Sequence, residues 1–354
     1  MNQKVLVTGI SGFLGSHTAI RLLNQGYRVV GTLRDMKRAD AIKKVIEPHA
    51  PVEHLHFAEA DLTDARAWKP LMQGVTYVQH VASPFPQTLP RHENELILPA
   101  KNGTLNILRA AAENGVKRVI VTSSIAAIVN GRSKQEKQQK LFDENDWTQL
   151  NNPKALTPYY KSKTIAEQAA WDFIAQNNTG LELTTICPSA ILGPVLEKDF
   201  GTSANLVIKL LDGSTPALPN IGFEIVDVRD VAAQLILAMK KKEAEGERFI
   251  ASSGYLHMKE IARILKHAYP DIKVPSKVLP DFAVRLLATF DQTIRPVLLD
   301  LGVVIKVDHS KAKKSLGWEP LPPEQAVLAC AESVLDLGIV KKKSTKSSHY
   351  ETNA

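Results

Sequence analysis

Cysteine is scarce in this sequence. There are two in 354 residues, Cys187 and Cys330, they lie far apart, and neither belongs to a cluster with metal-ligand spacing. We therefore predict neither a disulfide framework nor a metal site. Unpaired thiols are typical of a reducing compartment, so the expected location is cytoplasmic.

Long hydrophobic runs are also absent. No apolar stretch approaches the roughly 20 residues that a membrane-spanning helix needs. The first apolar run, at 5–7, leads straight into a glycine-rich turn and is too short for the core of a secretion signal. With 44% hydrophobic and 23% charged residues, the composition is that of an ordinary globular enzyme.

The net charge is positive, +7 at pH 7, and part of it lies at the end of the chain, where segment 341–354 has four lysines and one glutamate. We expect this segment to be a flexible, solvated tail. Contact of the tail with nucleic acid or a membrane surface stays an open alternative. The rest of the chain is mildly basic, which suits an anionic small molecule, and we predict no nucleic-acid or membrane partner for it.

Short apolar segments alternate with helical patterns along the first half of the chain. Such alternation predicts crossover units and a parallel sheet, and right-handed crossovers place helices on both faces of that sheet. We therefore predict an α/β fold with a Rossmann-type doubly wound sheet. The polar run at 133–140 is expected to be an exposed loop. The predicted strands include 4–8, 28–33, 52–58, 75–81 and 118–122, and the predicted helices include 13–24, 94–114 and 158–177.

Prolines become common after Cys187, which indicates a second, loop-rich lobe. At about residue 225 a strand pattern followed by a helical pattern indicates a return to the first domain. The predicted division is a Rossmann domain of 1–188 plus 225–251, a smaller, discontinuous C-terminal lobe of 189–224 plus 252–340, and the tail 341–354. The cleft between the two lobes is the expected ligand site.

A glycine-rich turn follows the first predicted strand and opens the first predicted helix. Glycine permits the tight turn and lets backbone N–H groups approach a pyrophosphate, while the helix N-terminus favours negative charge. The strand–turn–helix context makes the motif specific for a dinucleotide, and the lack of a following Lys-Ser/Thr pair excludes a P-loop. The predicted cofactor contacts in this turn are Thr8, Gly9, Ser11, Gly12, Phe13, Leu14 and Gly15.

Tyr159 and Lys163 stand four residues apart in a helical pattern, which places them on one face. A phenol has a pKa near about 10, and a neighbouring ammonium lowers it. The strand at 118–122 ends in Ser123-Ser124, at the sheet edge where ligands bind, so a serine hydroxyl can orient a carbonyl oxygen there. These residues predict that Tyr159 supplies a proton while a hydride passes from nicotinamide to carbon, with Lys163 also holding the ribose.

The chain resembles the extended short-chain dehydrogenase/reductase family. Within that family it is similar to the branch of dihydroflavonol reductases, cinnamoyl-CoA reductases and yeast methylglyoxal or ketone reductases. The resemblance covers about residues 1–240 well and the remainder loosely. The motifs that carry it are Gly9, Gly12 and Gly15 with Phe13-Leu14-Gly15-Ser16-His17, Tyr159-x-x-Ser162-Lys163 with Ala166-Glu167, and Cys187-Pro188-Ser189 with Gly193-Pro194.

Several site residues are implied by the resemblance. Ser124 rather than Ser123 is the implied catalytic serine, because the family places this hydroxyl just before a small or apolar pair. Plant flavonoid reductases have a substrate-binding Asn five residues past the serine, where this chain has Val129 with Asn130 next, which argues against a flavonoid substrate. The further implied cofactor contacts are Asp61 and Leu62 at the adenine, and Val81, Ala82, Ser83, Tyr159, Lys163, Pro188, Ser189 and Ala190.

Arg34 is the first charged residue after the second predicted strand, where an NAD enzyme usually has an acid for the ribose 2′-OH. A guanidinium can stack on adenine and form paired hydrogen bonds to a 2′-phosphate, so the predicted cofactor is NADP(H). The resemblance implies Arg38 as a second phosphate ligand, with Lys37 as the alternative. Asp35 would favour NAD if it turned inward, and we expect it instead to point outward or begin the next helix.

The sequence therefore predicts an NADPH-dependent oxidoreductase that reduces the carbonyl of a small molecule and acts as a monomer or homodimer. We expect an apolar substrate pocket, which suits a hydrophobic aldehyde or ketone but does not select a particular one. The candidate substrate contacts are Phe85, Ile128, Phe200 and Phe223.

Two other functions on the same fold stay open. A nucleotide-sugar epimerase or dehydratase is disfavoured because segment 122–125 has no carboxylate to protonate a leaving hydroxyl, and because Arg34 stands where a tightly held NAD would meet an acid. A non-catalytic NADP-binding regulatory protein is disfavoured by the intact pair of Tyr159 and Lys163.

Overall fold

The computed structural model describes residues 3–84, 92–198, 201–290 and 297–341. The predicted strands and helices alternate as expected, and their ends differ from the predicted ends by a few residues at most. The strands are β1 (Lys4–Thr8), β2 (Arg28–Leu33), β3 (Leu55–Glu59), β4 (Tyr77–His80), β5 (Arg118–Thr122), β6 (Leu141–Phe142), β7 (Glu182–Pro188), β8 (Ala190–Leu192), β9 (Gly222–Asp227), β10 (Arg248–Ala251), β11 (Gly254–His257) and β12 (Lys306–Val307). The helices are α1 (Phe13–Asn24), α2 (Ala39–Ile46), α3 (Ala65–Leu71), α4 (Asn94–Glu113), α5 (Lys134–Gln139), α6 (Pro158–Gln176), α7 (Asn205–Leu211), α8 (Val228–Lys240), α9 (Met258–Ala268), α10 (Asp281–Phe290), α11 (Ser310–Leu316) and α12 (Pro323–Asp336).

Seven strands form the central sheet, in the order β10-β7-β5-β4-β1-β2-β3. Every neighbouring pair in it is parallel. The strand order reverses between β1 and β4, which is the switch point where ligands bind in doubly wound sheets. The Rossmann-type fold predicted from the alternation is confirmed.

Helices cover both faces of this sheet, and β1 shows why. Its successive side chains point to opposite faces, so Val5 and Val7 join the core cluster that holds Leu22 and Leu235 of α1 and α8. Leu6 lies in the other cluster, with Trp68 of α3, Leu108 of α4 and Ala170 of α6. The nearly continuous apolar character of β1 follows from this burial on both faces.

The polar run expected to be an exposed loop is a helix, α5, so that expectation is wrong. Ser133 caps it: the hydroxyl accepts from the backbone N–H of Glu136, and the Ser133 N–H donates to the Glu136 carboxylate at 2.8 Å. This Ser-x-x-Glu capping box is a helix-start signal that the polar composition masked. Lys137 is almost fully buried on this helix, and its Nζ lies 2.7 Å from Oδ1 of Asp300.

A second, smaller sheet has the order β11-β9-β8. β9 pairs antiparallel with β11 and parallel with β8. Side chains of α7, α9 and α12 share a core cluster with this sheet, while α8 and β10 lie with the central sheet. The division into two lobes at the boundaries given above stays a prediction. Among the described residues, no helix combines the length and apolar character that crossing a membrane requires.

Candidate active site

The glycine-rich turn joins β1 to α1 in the way a tight phosphate-binding turn requires. Gly9 has a φ of +69°, in the left-handed region that favours glycine. A Cβ on Gly15 would collide with the carbonyl of Gly9, so only glycine lets α1 pack this closely on the strand. Gly12 is the N-cap residue of α1 and provides no side-chain cap. The first N–H groups of α1 therefore meet no capping side chain from that residue, as an anion site at a helix N-terminus needs.

The segment after β4 is fixed to β1 through His80. The backbone N–H of Ala82 donates to Oγ1 of Thr8 at 3.0 Å, and that hydroxyl lies 2.9 Å from Nδ1 of His80. Burial, with a smaller contribution from the charge of Lys163, lowers the pKa of His80 to about 3, so the imidazole is neutral. Thr8 can then donate to Nδ1, which leaves the proton of the ring on Nε2. These contacts hold Ala82 against Gly9, where the predicted cofactor segment Val81, Ala82 and Ser83 lies.

Two residues define the end of β2. Arg34 is exposed immediately after the strand, and its charge contributes to lowering the pKa of Asp61, which is lowered mainly by hydrogen bonds from Thr63. Asp35 begins the following turn, since its carboxylate accepts from the N–H of Lys37 at 2.9 Å and caps that turn. The expected orientation of Asp35 is therefore observed.

Arg38 has a partner that the sequence did not indicate. Its Nη2 lies 3.2 Å from a carboxylate oxygen of Glu197. Glu197 follows β8 and, with Val195 and Leu196, lies against the turn at Ser11 and Gly12. Whether Arg38 contacts a phosphate stays a prediction, and any such contact would compete with Glu197.

The structure brings Ser124 and Tyr159 together. Ser124 follows β5 and caps a short turn, where its Oγ accepts from the N–H of Ala126 at 3.1 Å. The same side chain is hydrogen-bonded to the Tyr159 phenol. Ser123 points elsewhere, since its Oγ donates to Glu167 at 2.5 Å. Of the two serines, Ser124 is therefore the one that faces the tyrosine, as the resemblance implies.

Tyr159 and Lys163 lie one turn apart near the start of α6, which begins with a Thr157 cap and Pro158 in its first turn. Burial raises the pKa of Tyr159, and the hydrogen bond with Ser124 opposes that rise. Burial lowers the pKa of Lys163 to about 8, although the charge of Glu167 opposes the fall. The Lys163 Nζ donates to the carbonyl of Thr122 at 3.2 Å, which holds it at the end of β5.

A cleft of about 310 Å³ opens where β4 and β5 end, lined by residues that include Ala82, Ser83, Thr122 and Lys163. Within the described ranges, the buried hydroxyls of Thr122 and Ser189 have no hydrogen-bond partner. Buried hydroxyls normally have partners, so these two are open to a ligand. In the same ranges, no group of three or more His, Cys, Asp or Glu side chains is placed to hold a metal ion.

The remaining predicted residues lie in different environments. Ile128 is fully buried among Phe142, Cys187 and their neighbours in a core cluster, and Phe223 is partly buried against the core of the smaller sheet. Their contact with a substrate stays a prediction. Phe85 and Phe200 lie outside the described residues, as does the tail from residue 342. Leu62 packs against Gly103 of α4, and Pro188 and Ala190 flank Ser189 at the end of β7.

Glu167 is a site residue for which the sequence predicted no role, although it belongs to the motif that follows Lys163. Glu167 is 1% exposed, lies one turn after Lys163, and is hydrogen-bonded to Ser123, Thr185 and Arg248. The spacing of four residues from Lys163 was the available signal, because residues four apart share a helix face.

Comparison with known proteins places this site in a family. The NAD dependent epimerase/dehydratase family model matches residues 5–251. The chain belongs to this family, which is the family of the resemblance described above. A cinnamoyl-CoA reductase of Medicago truncatula, CAD2, is 34% identical over 337 residues, which cover 94% of this chain and 96% of that protein. A bifunctional dihydroflavonol 4-reductase/flavanone 4-reductase of Pyrus communis is 30% identical and covers 96% of this chain and 98% of its own.

Solved structures show the same architecture. The yeast methylglyoxal/isovaleraldehyde reductase Gre2, crystallised with NADPH, superimposes with a TM-score of 0.79 at 26% identity and covers 96% of this chain and 100% of its own. The Candida albicans Gre2 complex with NADPH has a TM-score of 0.78 at 29% identity and covers 95% of this chain and 99% of its own. The fold of the present chain is therefore that of NADPH-binding reductases along nearly its whole length.

Proposed function

We propose that this protein is an NADPH-dependent reductase of aldehyde or ketone carbonyls. It is an NADP-dependent oxidoreductase, since the family is NAD-dependent, full-length relatives are reductases and its structural neighbours bind NADPH. The observation that carries the carbonyl assignment is the junction of Ser124, Tyr159 and Lys163 beside the cleft. This trio supplies a proton donor, a group that orients the substrate oxygen and a nearby positive charge.

The residues of the chain fit NADP(H) at several points. The N-terminus of α1 and its glycine turn present backbone N–H groups suited to a pyrophosphate. Arg34 is exposed immediately after β2, and the carboxylate of Asp35 is engaged in capping the next turn, which suits a 2′-phosphate at Arg34. The hydroxyls of Thr122 and Ser189 lack partners among the described residues, and Lys163 lines the same cleft as Thr122, so a ribose or nicotinamide group would find donors there.

The proposed chemistry divides the work among three side chains. When bound, NADPH supplies the hydride that the carbonyl carbon receives. Ser124 donates a hydrogen bond to the carbonyl oxygen and holds it beside the phenol. Tyr159 gives that oxygen its proton, and the ammonium of Lys163 favours the phenolate left behind. The lysine would also hold a ribose hydroxyl, which places the cofactor against the substrate.

The alternative functions are less well supported. An epimerase or dehydratase remains compatible with the family description, but segment 122–125 has no carboxylate, and the full-length relatives described above are reductases. A regulatory, non-catalytic role does not account for an intact Ser124–Tyr159–Lys163 arrangement at a cleft. Phe223 and Ile128 pack against apolar core residues, and their contact with an apolar carbonyl compound stays a prediction.

A carbonyl panel tests the proposal. Purified protein would be mixed with NADPH and each of a set of aliphatic and aromatic aldehydes and ketones, and the absorbance of the reduced nicotinamide followed. We expect turnover with several members and equimolar alcohol. Absence of turnover with every member, together with a purified protein that carries tightly bound NAD, would support the epimerase alternative instead.

A further inference from the structure

Behind the proposed catalytic trio lies a buried carboxylate that the reaction scheme does not use. Glu167 is 1% exposed and stands on the same face of α6 as Tyr159 and Lys163, which precede it by two turns and one turn. Its side chain also lines the inner wall of the cleft. A carboxylate at such a depth costs free energy unless it is paired and hydrogen-bonded, so its partners explain why it is there.

The partners of Glu167 come from three strands of the central sheet. Oε2 accepts from the Ser123 hydroxyl at 2.5 Å, at the end of β5. Oε1 accepts from Thr185 of β7 at 2.7 Å and from Nε of Arg248 of β10 at 2.8 Å. Arg248 is itself fixed, since its Nη1 donates to the carbonyls of Glu144 and Asp146 at 2.6 and 2.9 Å. The carboxylate therefore joins the catalytic helix to the strand end that carries Ser124.

The same carboxylate faces the charge of Lys163. Among the described residues, the other titratable groups near this lysine are kept neutral by burial, which lowers the pKa of His80 and raises the pKa values of Tyr159 and the Cys187 thiol, and Cys187 supports the charge of Lys163 less than Glu167 does. Arg248 lies on the far side of Glu167 and adds a positive charge. Glu167 is the largest influence that opposes the fall in the pKa of the buried Lys163.

We propose that Glu167 is a positioning residue of the active site, which fixes the Ser123–Ser124 strand end through its hydrogen bond and holds Lys163 in its charged form. This inference rests on the proposed function for the roles of Ser124 and Lys163. It assigns to Glu167 two separable effects, one mechanical and one electrostatic. Ser123→Ala removes only the first, because the carboxylate keeps Thr185 and Arg248.

The electrostatic effect has a defined sign. Lys163 loses its proton as the pH rises through about 8, so an interaction that needs the ammonium weakens above that pH. Without the charge of Glu167 the pKa of Lys163 falls further, and the loss begins at lower pH. We expect Glu167→Gln to move the alkaline limb of NADPH affinity, and that of kcat/KM, down by about one pH unit.

The experiment measures NADPH affinity by fluorescence titration across pH in wild type, Glu167→Gln, Ser123→Ala and Glu182→Gln. Glu182 is the matched control, because it pairs with the buried Arg118 at 2.6 Å in the same sheet. These two residues begin β7 and β5, whereas Ser123 and Ser124 follow the other end of β5. We expect Glu182→Gln to lower thermal stability without moving the alkaline limb. If Glu167→Gln does not fold because Arg248 loses its partner, the double variant Glu167→Gln/Arg248→Met removes both charges and is expected to show a smaller shift in the same direction, since the loss of the Arg248 charge opposes the loss of the carboxylate.

Steady-state kinetics complete the test. We expect Ser123→Ala to lower kcat with an unchanged KM for NADPH and an unchanged alkaline limb. An alkaline limb that stays in place in the folded Glu167 variant, or a wild-type kcat in Ser123→Ala, overturns the proposal. The binding titrations need no carbonyl substrate, so they test Glu167 even if the panel finds none. Absence of turnover in wild type would overturn the proposed function alone.

Discussion

The guanidinium of Arg38 lies 3.2 Å from the carboxylate of Glu197, a residue that follows β8 and lines a small pocket with Ser11 and Gly12 of the glycine turn. Both side chains are partly exposed, at 39% and 25%. A positive group proposed to bind the 2′-phosphate thus already has an anionic partner in the protein. Phosphate binding at Arg38 would have to displace or share that partner.

Glu197→Gln is therefore expected to strengthen NADPH binding. Loss of the carboxylate removes the ion pair with Glu197 from Arg38 and a negative charge near the phosphate, and a partly exposed pair of this kind is worth about threefold in affinity. NADH affinity should rise less, because NADH has the pyrophosphate but no 2′-phosphate. Fluorescence titration with both cofactors measures the effect. The control is Glu113→Gln, which removes an exposed pair between Lys69 and the last residue of α4. Unchanged or weaker NADPH binding would remove Arg38 from the phosphate site.

Arg34 is expected to determine the choice of cofactor. Arg34→Ala should weaken NADPH binding by about tenfold or more, because a charged hydrogen bond to phosphate is lost, and should leave NADH binding nearly unchanged. The control is Arg28→Ala, an exposed arginine at the opposite end of the same strand. Saturation curves for NADPH and NADH decide the matter. Equal use of the two cofactors by wild type would contradict the assignment.

The buried pair of Lys137 and Asp300 is expected to contribute to stability. Lys137 is 2% exposed and Asp300 26%, so Lys137→Met should lower the free energy of unfolding by about 3 kcal/mol, the lower end for breaking a buried pair, because Asp300 keeps some contact with water. Lys140 pairs with Asp146 at 3.0 Å next to the same helix but is 42% exposed. Lys140→Met should therefore cost less than about 1 kcal/mol. Urea denaturation measures the free energy of unfolding of both variants. Equal losses in the two variants would show that the burial of Lys137 does not increase the contribution of its ion pair to stability.

Local signals predicted most of the fold. β1, α1, β2 and β5 begin and end where the apolar periodicity and the glycine turn placed them. Their local apolar patterns agree with their burial in the fold. The continuous apolar run of β1, for example, matches a strand that is buried on both faces. The helix α5 was not predicted because its polar composition masks the capping box at its start. The burial of Lys137 could not be predicted locally, because its partner Asp300 is far along the chain.

The site was predictable only where one segment carries the information. Tyr159 and Lys163 lie one turn apart on a single helix, so their spacing reveals them. The choice of Ser124 over Ser123 needed the family resemblance, since both hydroxyls follow the same strand. The structure explains that choice, because Glu167 accepts the Ser123 hydroxyl. The partnership of Arg38 and Glu197 joins two distant segments, and no local pattern indicates it.

The role of Tyr159 as proton donor is the central claim, and Tyr159→Phe tests it most directly. The substitution removes one hydroxyl and keeps the ring, so folding and NADPH affinity should be preserved. Steady-state rates of NADPH oxidation with a carbonyl that wild type reduces are then compared. We expect kcat to fall by at least about 10²-fold, the usual scale for the loss of a general acid. A variant that folds, binds NADPH and keeps a near-normal kcat would contradict it.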